Sequence, residues 1–263
     1  KMDNYITDNG FDTRNYGELE GLPEARALFA DVFGVQPGEV FVGGNSSLQL
    51  MYNLVAIGMM FGFQDSPKPW GQVEHRKFLC PVPGYDRHFA ITEEMGFELI
   101  SVPMSPDGPD MDMIEKLVAE DDTIKGIWCV PKYSNPTGIT FSEDTVRRLV
   151  EMPTAAPDFR IFWDNAYCVH DLYDETDELA NIFDLARAAG TEDRVVAFAS
   201  TSKITFRRRH RLIGASPAVI AEFSKRLKAG LISADKLNQL RHVRFLPTIE
   251  AVKEHMKKHA EFL

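Results

Sequence analysis

Cysteine is scarce in this chain: Cys80, Cys129 and Cys168 are the only three, and no two form a CxxC pair. An odd count without a spaced framework excludes a disulfide scaffold and fits a reducing cytoplasm. Positive charge is also short, with 29 Lys and Arg against 39 Asp and Glu and a formal net charge of −10. That balance argues against a sequence-independent nucleic-acid binder, which needs a cationic face to displace counterions. No apolar run reaches the roughly 20 residues of a membrane span. The nearest, Leu48 to Phe63, is shorter and carries Gln49 and Asn53. The beginning has no signal-peptide pattern. The seven histidines make no metal-ligand pattern. His255 and His259 are four apart, but Met256, Lys257 and Lys258 between them supply no general-base glutamate, so a solvated face is expected.

What is present is strand–helix alternation. With 263 residues, 44% of them hydrophobic, the chain can bury a sizeable core. Helices are expected over 22–33, 48–60, 89–95, 111–120, 142–152, 180–189 and 216–229. Strands are expected over 39–42, 77–80, 98–102, 126–130, 160–163 and 194–198. This pattern predicts an α/β fold, a three-layer α/β/α arrangement with a mainly parallel sheet covered on both faces. The acidic run Asp171 to Glu178 reads as a solvated loop. Both ends look cut: Lys1 to Tyr5 begins mid-segment, and the helical pattern from Pro247 stops at Leu263 without a terminating Gly or Pro, as in the interior of a longer protein.

Three short motifs follow apolar runs in fixed order. They are Asn135-Pro136-Thr137-Gly138, Asp164-Asn165-Ala166-Tyr167 and Ser200-Thr201-Ser202-Lys203. Strands that end this way place polar loops along one rim of a sheet, the carboxyl rim where open α/β sheets bind ligands. The gathered amide, acid, phenol, hydroxyls and amine suit a flat, charged, nitrogen-bearing ring better than a metal or a nucleic acid. A fourth segment, Gly43-Gly44-Asn45-Ser46-Ser47, joins a strand to a helix, where backbone N–H groups and the helix dipole can hold a phosphate.

Each motif alone has a plainer reading. The glycine turn is then a capped tight turn. Asp164 and Tyr167 are a cap and a packed ring, Lys203 is a surface amine, and Asn135 makes an Asx turn. Tyr85, in Pro81-Val82-Pro83-Gly84-Tyr85, is either a stacking platform or core.

Taken together, their order and spacing resemble the fold-type I pyridoxal-phosphate (PLP) enzymes, and specifically the class I/II aminotransferases. The wording around the motifs resembles a bacterial subgroup of aspartate aminotransferase-like proteins. The resemblance covers essentially the whole chain and implies roles residue by residue. Lys203 would join the cofactor aldehyde as an imine and then carry the proton between substrate Cα and the cofactor. Asp164 would pair with the pyridinium nitrogen, and Tyr167 and Asn135 with the ring 3-oxygen. Tyr85 would stack on the ring. Gly44, Asn45, Ser46 and Ser200 would hold the phosphate. Arg211 stands eight positions after Lys203, where most of the family has a basic residue. Tyr16 matches a tyrosine that reaches the phosphate of a neighbouring subunit, which implies a homodimer. The resemblance makes 1–246 a PLP-binding large domain and 247–263 the start of a helix toward a small domain. It implies transamination of an amino acid, aspartate foremost, with 2-oxoglutarate, in the cytoplasm.

Two features depart from the family. The arginine that binds the substrate α-carboxylate has no match in this chain. The run Arg207-Arg208-Arg209-His210-Arg211 replaces the Gly/Ala-rich loop of the close subgroup. A compensated reading-frame slip is one explanation. Such a run repels itself and resists burial, so it is expected to swing outward, leaving at most Arg211 near the phosphate. A PLP-dependent β-lyase, an aminotransferase-like effector domain of a transcription regulator, and a catalytically dead remnant are the alternatives.

Overall fold

Capping side chains set where most of the helices begin. A computed structural model describes residues 4–170, 175–202, 204 and 210–262. In chain order the elements are α1 (Pro23–Phe33), β1 (Val40–Val42), α2 (Ser47–Phe61), β2 (Lys77–Val82), α3 (Asp86–Glu94) and β3 (Glu98–Ser105). Next come β4 (Gly108–Pro109), α4 (Met111–Glu120), β5 (Ile124–Cys129), α5 (Glu143–Glu151), β6 (Arg160–Asp164) and α6 (Ile182–Ala189). The last are β7 (Val195–Ser200), β8 (Arg211–Ala215), α7 (Pro217–Leu227), α8 (Lys236–Phe245) and α9 (Ile249–Phe262). Asp110, Ser142, Asn181, Ser216 and Asp235 each accept a first-turn amide at the start of α4, α5, α6, α7 and α8. Each such cap is worth about 1 kcal/mol. Gly34 closes α1 at φ 68°, in the left-handed region that favours glycine.

The chain forms two units. The unit built from Leu48–Tyr167 and Asp177–Phe198 holds the parallel sheet. Its strands run β7-β6-β5-β2-β3-β4, all parallel except the short β4. Cys129 of β5 lies opposite Trp163 of β6, and Asp164 of β6 opposite Phe198 of β7, so these strands end at one level. On one face Phe78, Trp128 and Phe162 meet with ring centroids 4.6–5.4 Å apart. Gly126 makes room for them, since a Cβ there would sit 2.6 Å from the Phe78 ring. Burial pushes the Cys80 thiol up to about 12 and Cys129 up as well, which leaves both as inert core residues.

At the amino ends of β5 and β6 lies a buried ion network. Lys125 Nζ meets Asp158 Oδ1 at 2.9 Å, while Trp70 Nε1 and Ser66 Oγ donate to Asp158 Oδ2 at 2.9 and 2.8 Å. Arg160 pairs with Asp65 at 2.6 Å and lies over the Phe63 ring.

The unit built from Lys1–Ser47, Cys168–Thr176 and Ala199–Leu263 pairs β1 with β8, antiparallel, and includes α1, α7, α8 and α9. Gln239 of α8, fully buried, accepts the Leu22 amide at 2.8 Å and donates to the Val42 carbonyl at 3.3 Å.

The fold is therefore α/β with a mainly parallel sheet, as the alternation predicts. Several details differ. Helix α3 starts at Asp86 rather than Phe89, and β8 and α8 were not expected. The reading of His255 and His259 as a solvated face is corrected. Both are half-buried with rings 4.4 Å apart, and His255 Nε2 lies 2.9 Å from the Ile204 carbonyl. The expectation that the cationic run resists burial fails for His210, which is buried beside Arg211, the one residue the expectation left inside, because Arg211 opens a strand paired with β1. Arg207, Arg208 and Arg209 lie outside the described residues. So do the first four residues of the acidic run; 175–178 are exposed as expected.

Candidate functional site

In the parallel-sheet unit, the carboxyl rim is where polar groups gather. Strand β6 ends at Asp164, which is largely buried. A buried carboxylate needs a partner. The partner is His88, 1% exposed, whose Nε2 lies 2.9 Å from Asp164 Oδ2. An ionised carboxylate only accepts, so the His88 proton on this bond sits on Nε2.

His88 comes from the first turn of α3. The Pro81–Tyr85 segment turns sharply before it, and Gly84 is required there because a Cβ would meet the Pro81 carbonyl at 2.3 Å. The Tyr85 ring stands edge-on to His88 at 5.0 Å and 88°. Trp128 of β5 stacks on His88 at 4.9 Å and 19°.

A small cavity of about 20 Å³ is lined by Tyr85, His88, Trp128, Ser134 and Asn135, so the structure brings Tyr85 and Asn135 to one place. It has room for about one water. Asn135 itself is exposed on the loop after β5 and Tyr167 is half-buried after β6. The Asn165 amide donates to the Phe198 carbonyl at 2.8 Å, which ties the two strand ends together. Asn165 Oδ1 is buried without a hydrogen-bond partner among the described residues.

In the other unit, β1 runs into the Gly43–Ser47 turn. The Gly43 amide donates to the Arg211 carbonyl at 2.7 Å, and the Arg211 amide to the Gly44 carbonyl at 3.1 Å. This double strap fixes the turn against the start of β8 and leaves Gly44 and Asn45 exposed. Ser200 Oγ donates to Ser202 Oγ at 3.1 Å. Burial, with His242 beside it, pushes His210 down to about 4. Its Nδ1 lies 3.4 Å from the Gly43 carbonyl and its ring 4.8 Å from that of His242. Tyr16 is 82% exposed. Lys203 lies outside the described residues.

His88 was missed in the sequence. Its signal was a lone histidine three residues after Tyr85, hidden in a polar first turn, Asp86-Arg87-His88, that disguised the start of α3.

A family model described as aspartate amino-transferase matches residues 2–263. A candidate aminotransferase of Mycolicibacterium smegmatis is 52% identical, across 99% of this chain and 61% of its own length. An aspartate aminotransferase of Corynebacterium glutamicum is 48% identical, across 97% of this chain and 59% of its own length. The crystal structure of a candidate aminotransferase from Corynebacterium diphtheriae is similar with a TM-score of 0.95 at 45% identity, covering 98% of this chain and 64% of that one. This chain thus spans about three fifths of the length of the curated relatives it matches. Matched from its second residue to its last, it belongs to the aspartate amino-transferase family, among the fold-type I PLP-dependent aminotransferases.

Proposed function

We propose that this chain carries the cofactor-binding part of a PLP-dependent aminotransferase that moves the amino group of aspartate to 2-oxoglutarate. Residues 1–246 are its large domain and 247–263 lead toward a smaller one. The observation that carries the reading is the His88–Asp164 pair at the end of β6. A buried carboxylate, oriented by an imidazole beside an aromatic ring and an exposed amide, fits a flat cationic heterocycle. The buried Asn165 Oδ1 without a described partner marks polar capacity on the same loop.

PLP, when bound, supplies an electron sink for the electron pair left at substrate Cα. Asp164 would hold the ring N–H. Asn135 and Tyr167 would donate to the ring 3-oxygen, and Tyr85 would cover the ring face. Gly44, Asn45, Ser46, Ser200 and Arg211 would hold the phosphate through amides, hydroxyls and one guanidinium. Lys203 would hold the aldehyde end of the group and would move the proton at substrate Cα. Tyr16 reaches the phosphate held by a second copy, so the working enzyme is a homodimer. Among the described residues no helix is long and apolar enough to cross a membrane. The three cysteines, with no paired framework, support a cytoplasmic setting.

The test is Asp164→Ala. The phosphate contacts should keep the cofactor bound, while aspartate-driven bleaching of the visible band slows to a small fraction of the wild-type rate. Near-normal turnover in that variant refutes the role of Asp164.

A further inference from the structure

We infer that Trp128 is a positioning residue for the proposed reaction: it fixes the plane of the His88 imidazole, and through it the orientation of Asp164. The inference rests on the PLP reading only in its last step, from Asp164 to the cofactor ring.

Five side chains besides His88 build the geometry. His88 reaches Asp164 through Nε2 alone, and rotation about its terminal side-chain bond swings that nitrogen away. The Trp128 face, 4.9 Å distant and within 19° of parallel, blocks that rotation on one side. The Tyr85 ring, edge-on at 5.0 Å, limits it on another. Trp128 has little room to move, because Phe162 at 4.6 Å and Phe78 at 5.4 Å pack against its indole. Nor can it tilt freely. Its Nε1–H donates to Thr92 Oγ1 at 3.2 Å, and Thr92 Oγ1 in turn donates to the Phe89 carbonyl at 3.1 Å. Thr92 is one helical turn past His88 on α3, so the indole is bolted to the helix that supplies the imidazole it stacks on. Strand β5 and helix α3 are thereby locked in the one register that aims His88 at the end of β6. A tryptophan used only as core filling needs some acceptor for its Nε1–H, but neither one on the helix of the imidazole it faces nor the near-parallel stack.

The experiment is NMR on the cofactor-free protein with ¹⁵N-labelled histidine. It is followed by pH titration of the visible band after adding PLP. Wild-type protein should show a slowly exchanging His88 Nε2–H. Trp128→Leu should lose that signal and shift the pH midpoint of the bound cofactor's band. Trp128→Phe, which restores a ring face but not the bond to Thr92, should recover both in part. Thr92→Val keeps volume but removes the indole's acceptor, and should speed exchange of the same proton. A folded Trp128→Leu protein with the His88 proton still sharp and slow overturns the proposal. If Trp128→Leu does not fold, Thr92→Val decides, and unchanged exchange there overturns it. Absence of the slow proton in wild-type protein also overturns it. If wild-type protein takes up no PLP, the proposed function fails, and the NMR arm still decides the role of Trp128.

Discussion

Thr201 and His210 are tied to each other twice. The Thr201 amide donates to the His210 carbonyl at 3.0 Å, and the His210 amide donates to Thr201 Oγ1 at 2.9 Å. The stretch of sequence between them carries Lys203, so this clasp closes the neck of the segment that bears the proposed cofactor lysine. Thr201→Val leaves the buried His210 amide without its acceptor. A lost buried partner costs about 1–3 kcal/mol. Chemical denaturation should register that loss, and Thr201→Ser should restore most of it. A Thr201→Val protein as stable as wild type contradicts the clasp.

Acid should destabilise the protein through His210. Burial first, and His242 second, hold this ring down to about 4, while the Gly43 carbonyl, the Asn238 backbone and Asp235 pull the other way. An unfolded histidine takes its proton near pH 6.5. Between those values the unfolded chain binds more protons than the folded one, so stability falls as pH drops through that window and is full above it. For this group the loss approaches about 3 kcal/mol near pH 4. The checking measurement is the melting temperature from pH 7 to 4 in wild type and His210→Asn. The variant should show the shallower decline. Equal slopes would mean that His210 does not titrate in this way.

The Lys125–Asp158 pair should be costly to break. Both side chains are buried, and Asp158 also satisfies Trp70 and Ser66. Asp158→Ala strands a buried ammonium, a loss of about 3–5 kcal/mol. Adding Lys125→Met should recover part of it. Urea unfolding of the single and double variants tests this. A single variant within about 1 kcal/mol of wild type rules out the network as a stability determinant.

The parts of the fold that could be read from the sequence are those with local causes. Ser142 announces α5 because a hydroxyl caps the third amide beyond it, and Asp110 does the same for α4. The strands before Asn135, Asp164 and Ser200 read clearly because strands buried on both faces are continuous apolar runs. Helix α8 was hidden because its buried face is polar. Lys236, Asn238, Gln239 and His242 are inside, and Gln239 is used to satisfy backbone from α1 and β1. No apolar period marks such a helix. Strand β8 was hidden because its first residue, Arg211, continues a cationic run that reads as solvated loop. His88 was hidden because its partner is distant: Asp164 lies 76 residues along the chain.

The proposed chemistry turns on Lys203. The direct measurement adds PLP, records the visible band, reduces with borohydride and maps the labelled peptide by mass. The label should fall on Lys203, and Lys203→Ala should lose the band. Recovery of the label on another lysine, or an unchanged band in Lys203→Ala, would contradict the assignment of the cofactor site.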